Sequence, residues 1–284
     1  QELVRINSID QIEQPGILYT PSSDTNKVVI HIHGLNGNFY ENRFLDTLAK
    51  SYTDKGYAFL TFNNRGKDFI AELLKGDGFT VIGGSLERFK DCILDIEGVV
   101  SWVKQKGYKE ITLEGHSYGC NKVLYYYNKK KEDCINKIVL LAPCDIPSEG
   151  KKFLSEEEYN KAKVESTRLV NEGKENELID FSVMANGKIA AGTYYNDFLP
   201  GGENDFIRYT EDINDMNEVL NSIDIPVLVV FGDADECVLT QPIDKVKVYL
   251  NNNIKNCTIK IINGADHSYC NKYEELGIII SKNF

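Results

Sequence analysis

Ile111-Thr-Leu-Glu-Gly-His-Ser-Tyr-Gly119 is the stretch on which the reading of this chain turns. Its first four residues form a β-prone run, and a helical pattern follows over 118–131, so Gly115-His-Ser-Tyr-Gly119 falls on a strand-to-helix turn. A G-x-S-x-G pentapeptide is a weak signal alone, because three fixed positions in five recur by chance. Between a strand and a helix it gains a mechanism. The glycines let the backbone pass through a crowded turn, and the serine is forced into a strained conformation. Its hydroxyl is then lifted clear of the sheet edge, at the positive end of the next helix. Ser117 is the candidate nucleophile, and a plain glycine-bounded turn is the alternative.

Outward from this turn, strand and helix patterns alternate. Upstream, residues 3–6 and 16–19 are strand-like, and Lys27-Val-Val-Ile-His-Ile-His33 suits a strand buried on both faces. Residues 41–55 carry a helical pattern stopped by Gly56, and 57–62 read as a strand. Residues 63–85 read as a glycine-containing loop. Over 86–106, Phe89, Ile93, Ile96, Val99, Val100 and Val103 recur at helical spacing. Downstream come strands at 137–142, 226–231 and 257–262, with helices at 242–250 and 269–282. Such alternation predicts an α/β chain with a mostly parallel central sheet and helices on both faces. Residues 143–222 break the rhythm with a charged helical segment and an aromatic, glycine-rich one. They are expected to be an insertion after the sixth strand, with 1–142 and 223–284 forming the core.

The bulk properties narrow the classes. Of 284 residues, 42% are hydrophobic and 26% charged, ordinary values for a globular protein. The net charge is −11 and Lys129 to Lys131 is the densest basic cluster, which argues against nucleic acid or an anionic membrane as partner. No apolar run approaches the roughly 20 residues that span a bilayer. The first ten residues are charged and alternating, unlike a signal peptide, although a chain that begins at Gln1 could have lost a leader. Seven scattered cysteines without a C-x-x-C pair read as reduced thiols in a cytoplasmic protein. Four histidines without H-E-x-x-H lend a metal site no support, so neither metal nor cofactor is expected. A homodimer is compatible with the composition.

A serine hydroxyl needs a base. His267, in Gly264-Ala-Asp-His-Ser-Tyr269, follows the last strand on a loop that returns to the same sheet edge. His116 lies beside Ser117 in the turn and should point away from it, and His31 belongs inside an apolar strand. The orienting acid comes from Phe231-Gly-Asp-Ala-Asp-Glu-Cys-Val238, where Asp233 and Asp235 compete, with Asp145 as the outside candidate. His33-Gly-Leu-Asn-Gly-Asn38 directly follows a strand, and its small glycines let backbone N–H groups face a site.

The four loops together, in this order, resemble the α/β-hydrolase superfamily over nearly the whole chain except the insertion. The resemblance implies a triad Ser117, Asp235, His267, because Asp235 fits the G-x-x-D-x-x-V spacing from Gly232 to Val238. It implies oxyanion donors at the N–H of Leu35 and of Tyr118. Gly34, His33, Tyr194, Tyr195 and Phe198 are the expected substrate-binding residues, the last three as an aromatic lining from a cap. The H-G-L-N-G-N loop looks like that of cinnamoyl and feruloyl esterases, which implies hydrolysis of a small-molecule carboxylic ester. Thioester, amide or acyl-transfer chemistry would use the same groups. A carboxylate nucleophile, as in dehalogenases, is disfavoured by the serine. A hydrolase-fold ligand-binding protein with little turnover is the rival of another class.

Overall fold

The computed structural model describes residues 1–210, 217–237 and 241–284. Strands β1 (Glu2–Asn7) and β2 (Glu13–Tyr19) form an antiparallel hairpin, and β3 (Lys27–Ile32) is followed by α1 (Phe44–Asp54) and β4 (Ala58–Phe62). A second hairpin, β5 (Ala71–Lys75) and β6 (Gly78–Ile82), precedes α2 (Cys92–Gln105). Then come β7 (Glu110–His116), α3 (Tyr118–Lys130) and β8 (Ile135–Leu141). Residues 143–222 hold, among those described, α4 (Ile146–Lys152), α5 (Glu156–Asn171), β9 (Leu178–Asp180), β10 (Lys188–Ala190), α6 (Ala191–Asp197) and α7 (Glu218–Asn221). The chain closes with β11 (Val227–Gly232), α8 (Ile243–Asn253), β12 (Cys257–Ile262) and α9 (Tyr273–Asn283).

Eight strands make one sheet in the order β1-β2-β4-β3-β7-β8-β11-β12. The β1–β2 and β2–β4 pairs are antiparallel and the rest parallel. Strands flanked on both faces by helices must be apolar throughout, which explains runs such as Val28-Val29-Ile30 and Val227 to Phe231, all buried. One face packs on α1 and α9 through Phe44, Leu48, Leu276 and Ile280; the other packs on α2, α3 and α8 through Ile96, Val99, Val123 and Val246. A carboxylate inside such a sheet needs partners. Glu114 of β7 receives His31 Nδ1 at 2.7 Å and the Tyr52 hydroxyl at 2.5 Å, so His31 is a hydrogen-bonded core imidazole.

Two sequence expectations need correction. Residues 63–85 are not merely a loop, because 71–82 pair as the β5–β6 hairpin around Lys75-Gly-Asp-Gly78. The strands expose Leu74, Phe79 and Val81, so the alternation that marks a half-buried strand is blurred. The closing helix starts at Tyr273 rather than 269, because Tyr269 and Asn271 adopt φ of 55° and 61°, outside the helical region.

The elements within residues 143–222 share the core of the sheet. Ile179, Phe181, Ile189, Tyr194, Phe206 and Tyr209 belong to the same buried cluster as Val123 and Val229. Among the described residues no helix is long and apolar enough to cross a membrane.

Candidate active site

Ser117 stands between β7 and α3 with φ 56° and ψ −129°, a conformation that costs a non-glycine residue roughly 1–3 kcal/mol and persists only where its surroundings impose it. Here the turn's own packing imposes it. A Cβ on Gly115 would lie 2.5 Å from the Cys120 nitrogen, and one on Gly119 would lie 2.1 Å from the Ile32 carbonyl oxygen. Only hydrogen fits at either position. The Ser117 amide donates to the Leu141 carbonyl at 2.8 Å, tying the turn to β8. Its Oγ rests 3.4 Å from the Cys144 thiol. Among the described residues no hydrogen bond joins it to an imidazole.

His267 follows β12 and Asp235 follows β11, and the Ala234 amide joins the two loops by donating to the Ala265 carbonyl at 3.1 Å. The His267 Nδ1 lies 3.0 and 3.1 Å from the two carboxylate oxygens of Asp235, which is buried. Asp235 also accepts the Cys237 amide at 3.0 Å. The competing carboxylates have other partners. Asp233 accepts the Gly264 amide at 2.5 Å, and Asp145 caps α4 by accepting the Ser148 amide while holding Thr210 Oγ1 at 2.5 Å. Val238, the last residue of the expected spacing, lies outside the described residues. His116 turns to the base rather than the serine. Its Nε2 donates to the His267 carbonyl at 2.9 Å, and burial together with the neighbouring His267 keeps its pKa well below the usual value.

The loop after β3 is held from below. His33 is fully buried, and burial together with the Lys122 charge lowers its pKa to about 3, so the ring is neutral. Its Nδ1 donates to the Gly34 carbonyl at 2.8 Å while Nε2 accepts the Asn64 amide at 3.1 Å. Asn64 Oδ1 in turn accepts from Lys122 Nζ at 3.1 Å, and that ammonium pairs with the buried Glu87 at 2.7 Å. One chain of contacts therefore runs from the helix that follows Ser117 to Gly34. Among the described residues, the amides of Leu35 and Tyr118 make no hydrogen bond. Two free N–H groups beside a serine are what a developing oxyanion requires.

Ser117, His267, Gly34, Leu35 and Phe69 border one cleft of about 260 Å³, together with Asn36, Asn42 and Glu41. His33 stands beneath it as a brace. Tyr194, Tyr195 and Phe198 are not on its wall: Tyr194 and Phe198 pack on Phe181 at 5.1 and 4.9 Å, and Tyr195 lies against the core. Helix α6 reaches the site indirectly, through the Asp197 carboxylate, which accepts the Tyr118 hydroxyl at 2.8 Å. Phe69, at the base of the β5–β6 hairpin, was not foreseen from the sequence, nor were the contact of His116 with the His267 carbonyl and the Glu87–Lys122 pair. A G-D-G turn between β-prone residues was the one available signal for the hairpin. The other contacts join residues far apart in the chain and leave no local pattern.

A family model described as serine aminopeptidase, S33, matches residues 23–274. The chain belongs to that family. It is a member of the α/β hydrolases, as the strand order and the strained serine turn lead one to expect. A Synechocystis protein that carries the name of a non-heme chloroperoxidase is 27% identical over 265 residues, 85% of this chain and 84% of its own. The solved structure of Est1E from Butyrivibrio proteoclasticus with ferulic acid bound superposes with a TM-score of 0.68 at 20% identity, covering 99% of this chain and 97% of that one. The Pyrococcus furiosus esterase Pf2001 does so with a TM-score of 0.61 at 17% identity, covering 99% and 90%. At such identities these structures speak for the fold alone.

Proposed function

We propose that this α/β hydrolase cleaves small carboxylic esters through an acyl-enzyme on Ser117. The observation that carries the reading is the strained Ser117 on one cleft with His267, whose Nδ1 is 3.0 Å from the buried Asp235. In this mechanism His267 Nε2 takes the Ser117 proton as Oγ attacks the ester carbonyl. Asp235 holds the ring in the Nδ1–H form and stabilises its cation. The Leu35 and Tyr118 amides receive the oxyanion. Collapse expels the alcohol with the proton from His267, and water activated by the same ring releases the acid. A cleft of about 260 Å³ favours a short or compact acyl group. In the same proposal residues 143–222 act as a cap, and the seven unpaired cysteines suit a reducing, cytoplasmic setting.

The test is a fluorophosphonate probe followed by a panel of nitrophenyl esters, with Ser117→Ala as control. Labelling and turnover are expected in the wild type and neither in the variant. A wild type silent in both assays would sink the proposal. The family description favours one second reading, release of an N-terminal residue from a peptide; aminoacyl anilides hydrolysed faster than the esters would establish it instead.

A further inference from the structure

Beside the Asp235–His267 pair stands a thiol that ester hydrolysis does not use. Cys237 is half-buried, and its Sγ, a carboxylate oxygen of Asp235 and a ring nitrogen of His267 all lie within 4.8 Å of one another. Carboxylate, imidazole and thiolate together are a zinc-type donor set, bound at about 2.0–2.3 Å in a tetrahedron. Donors of such a tetrahedron lie roughly 3.3–3.8 Å apart, so closing these three on one ion takes movements of about 1 Å. The surrounding charge favours a cation. Burial above all, and then the carboxylates of Asp235, Glu236 and Glu149 against the charge of Lys152, push the thiol up to about 12. The carboxylate part of that effect attracts a dication, which ionises the thiol as it binds. Cys144, the other thiol near Ser117, is buried, donates to the Ala142 carbonyl at 3.3 Å, and stands outside this donor group.

We propose that Asp235, Cys237 and His267 form an inhibitory site for a thiophilic divalent cation such as Zn²⁺, with water in the fourth position. Binding rests on the donor geometry; the consequence, inhibition, rests on the proposed roles of Ser117 and His267. As the metal–sulfur bond forms, the Cys237 proton leaves to solvent. If His267 coordinates through Nδ1, its Nε2 carries the hydrogen and cannot accept from Ser117. If it coordinates through Nε2, the lone pair that would accept is occupied. The base is lost either way, and a chelator restores it.

The experiment titrates the full chain, freed of metal with a chelator, with Zn²⁺ by calorimetry and by ester hydrolysis. Co²⁺ serves as a spectroscopic probe whose thiolate charge-transfer band reports Cys237. Cys237→Ser and Cys237→Ala are each compared with their own metal-free rate. The expected result is one ion per chain, inhibition reversed by chelator, loss of the cobalt band in both variants, and Zn²⁺ binding weakened by at least about tenfold. Inhibition equal in wild type and variants, or no Zn²⁺ binding, overturns the site. Should both variants misfold, iodoacetamide labelling of the wild type decides: Zn²⁺ must protect Cys237 while leaving the exposed Cys270 reactive, and equal labelling of Cys237 with and without Zn²⁺ refutes the site. Metal binding is read without turnover. A chain that binds Co²⁺ through Cys237 yet hydrolyses nothing keeps the metal site and loses the esterase reading; an active esterase blind to Zn²⁺ does the reverse.

Discussion

Replacing Lys122 by methionine removes an ammonium while keeping most of the stem that fills its place. Lys122 Nζ lies 2.7 and 3.0 Å from the two oxygens of Glu87 and 3.1 Å from Asn64 Oδ1, and it sits 4.9 Å above the Tyr118 ring. Both partners of the ion pair are at most 1% exposed, so Lys122→Met strands a carboxylate in the interior. Breaking a buried pair in this way costs about 3–5 kcal/mol. An unfolding entropy of about 2.1 cal/mol/K per residue over 284 residues makes that a fall in Tm of roughly 5–8 °C.

The loss also depends on pH. Burial already raises the Glu87 pKa against the pull of Lys122, and without the lysine it rises further. Folded Glu87 then binds a proton at pH values where the unfolded chain, with a carboxyl near about 4.3, does not. The stability of the variant therefore falls as pH rises through this window and recovers as pH drops. Urea unfolding followed by circular dichroism, at about pH 8 and about pH 5, measures both effects; Glu87→Leu in the same chain should recover most of the deficit, since an apolar replacement of the whole pair is close to neutral. A Lys122→Met protein within about 1 kcal/mol of wild type at the higher pH, or one equally destabilised at both, refutes the reasoning.

His33→Gln probes the brace under Gly34. Because folded His33 titrates at about 3 and the unfolded ring near about 6.5, wild-type stability falls by up to ~1.4 kcal/mol per unit as pH drops through that window. The stability gap between wild type and variant should shrink by about 2 kcal/mol between pH 7 and pH 5, and parallel trends would count against a neutral, buried His33. Gly119→Ala forces α3 away from the end of β3, where the new methyl would meet the Ile32 and His33 carbonyl oxygens at 2.1 and 2.8 Å. A loss of about 1–3 kcal/mol or more is expected, with slower fluorophosphonate labelling. Wild-type Tm and labelling rate in that variant would show that the turn does not need glycine there.

The sequence by itself determined the architecture and the chemical identity of the turn. Periodicity and β-branched runs are properties of a few neighbouring residues, so the eight strands of the sheet and the order of the loops at its edge were legible. Gly115-His-Ser-Tyr-Gly119 could be read for the same reason: a crowded turn demands glycines at fixed local offsets. Tertiary structure alone decided which groups surround that turn. Asp233 and Asp235 are near-equivalent in the chain, and only the fold aims one at the Gly264 amide and the other at His267. The aromatic residues at 194–198 looked like a pocket lining, yet packing against Phe181 draws Tyr194 and Phe198 inward, since a large apolar ring goes wherever most surface is buried. Glu87 pairs with Lys122 across 35 positions and His116 with His267 across 151. Whether a buried charge or imidazole finds its partner depends on how whole elements pack, and no local pattern in the chain encodes that distance.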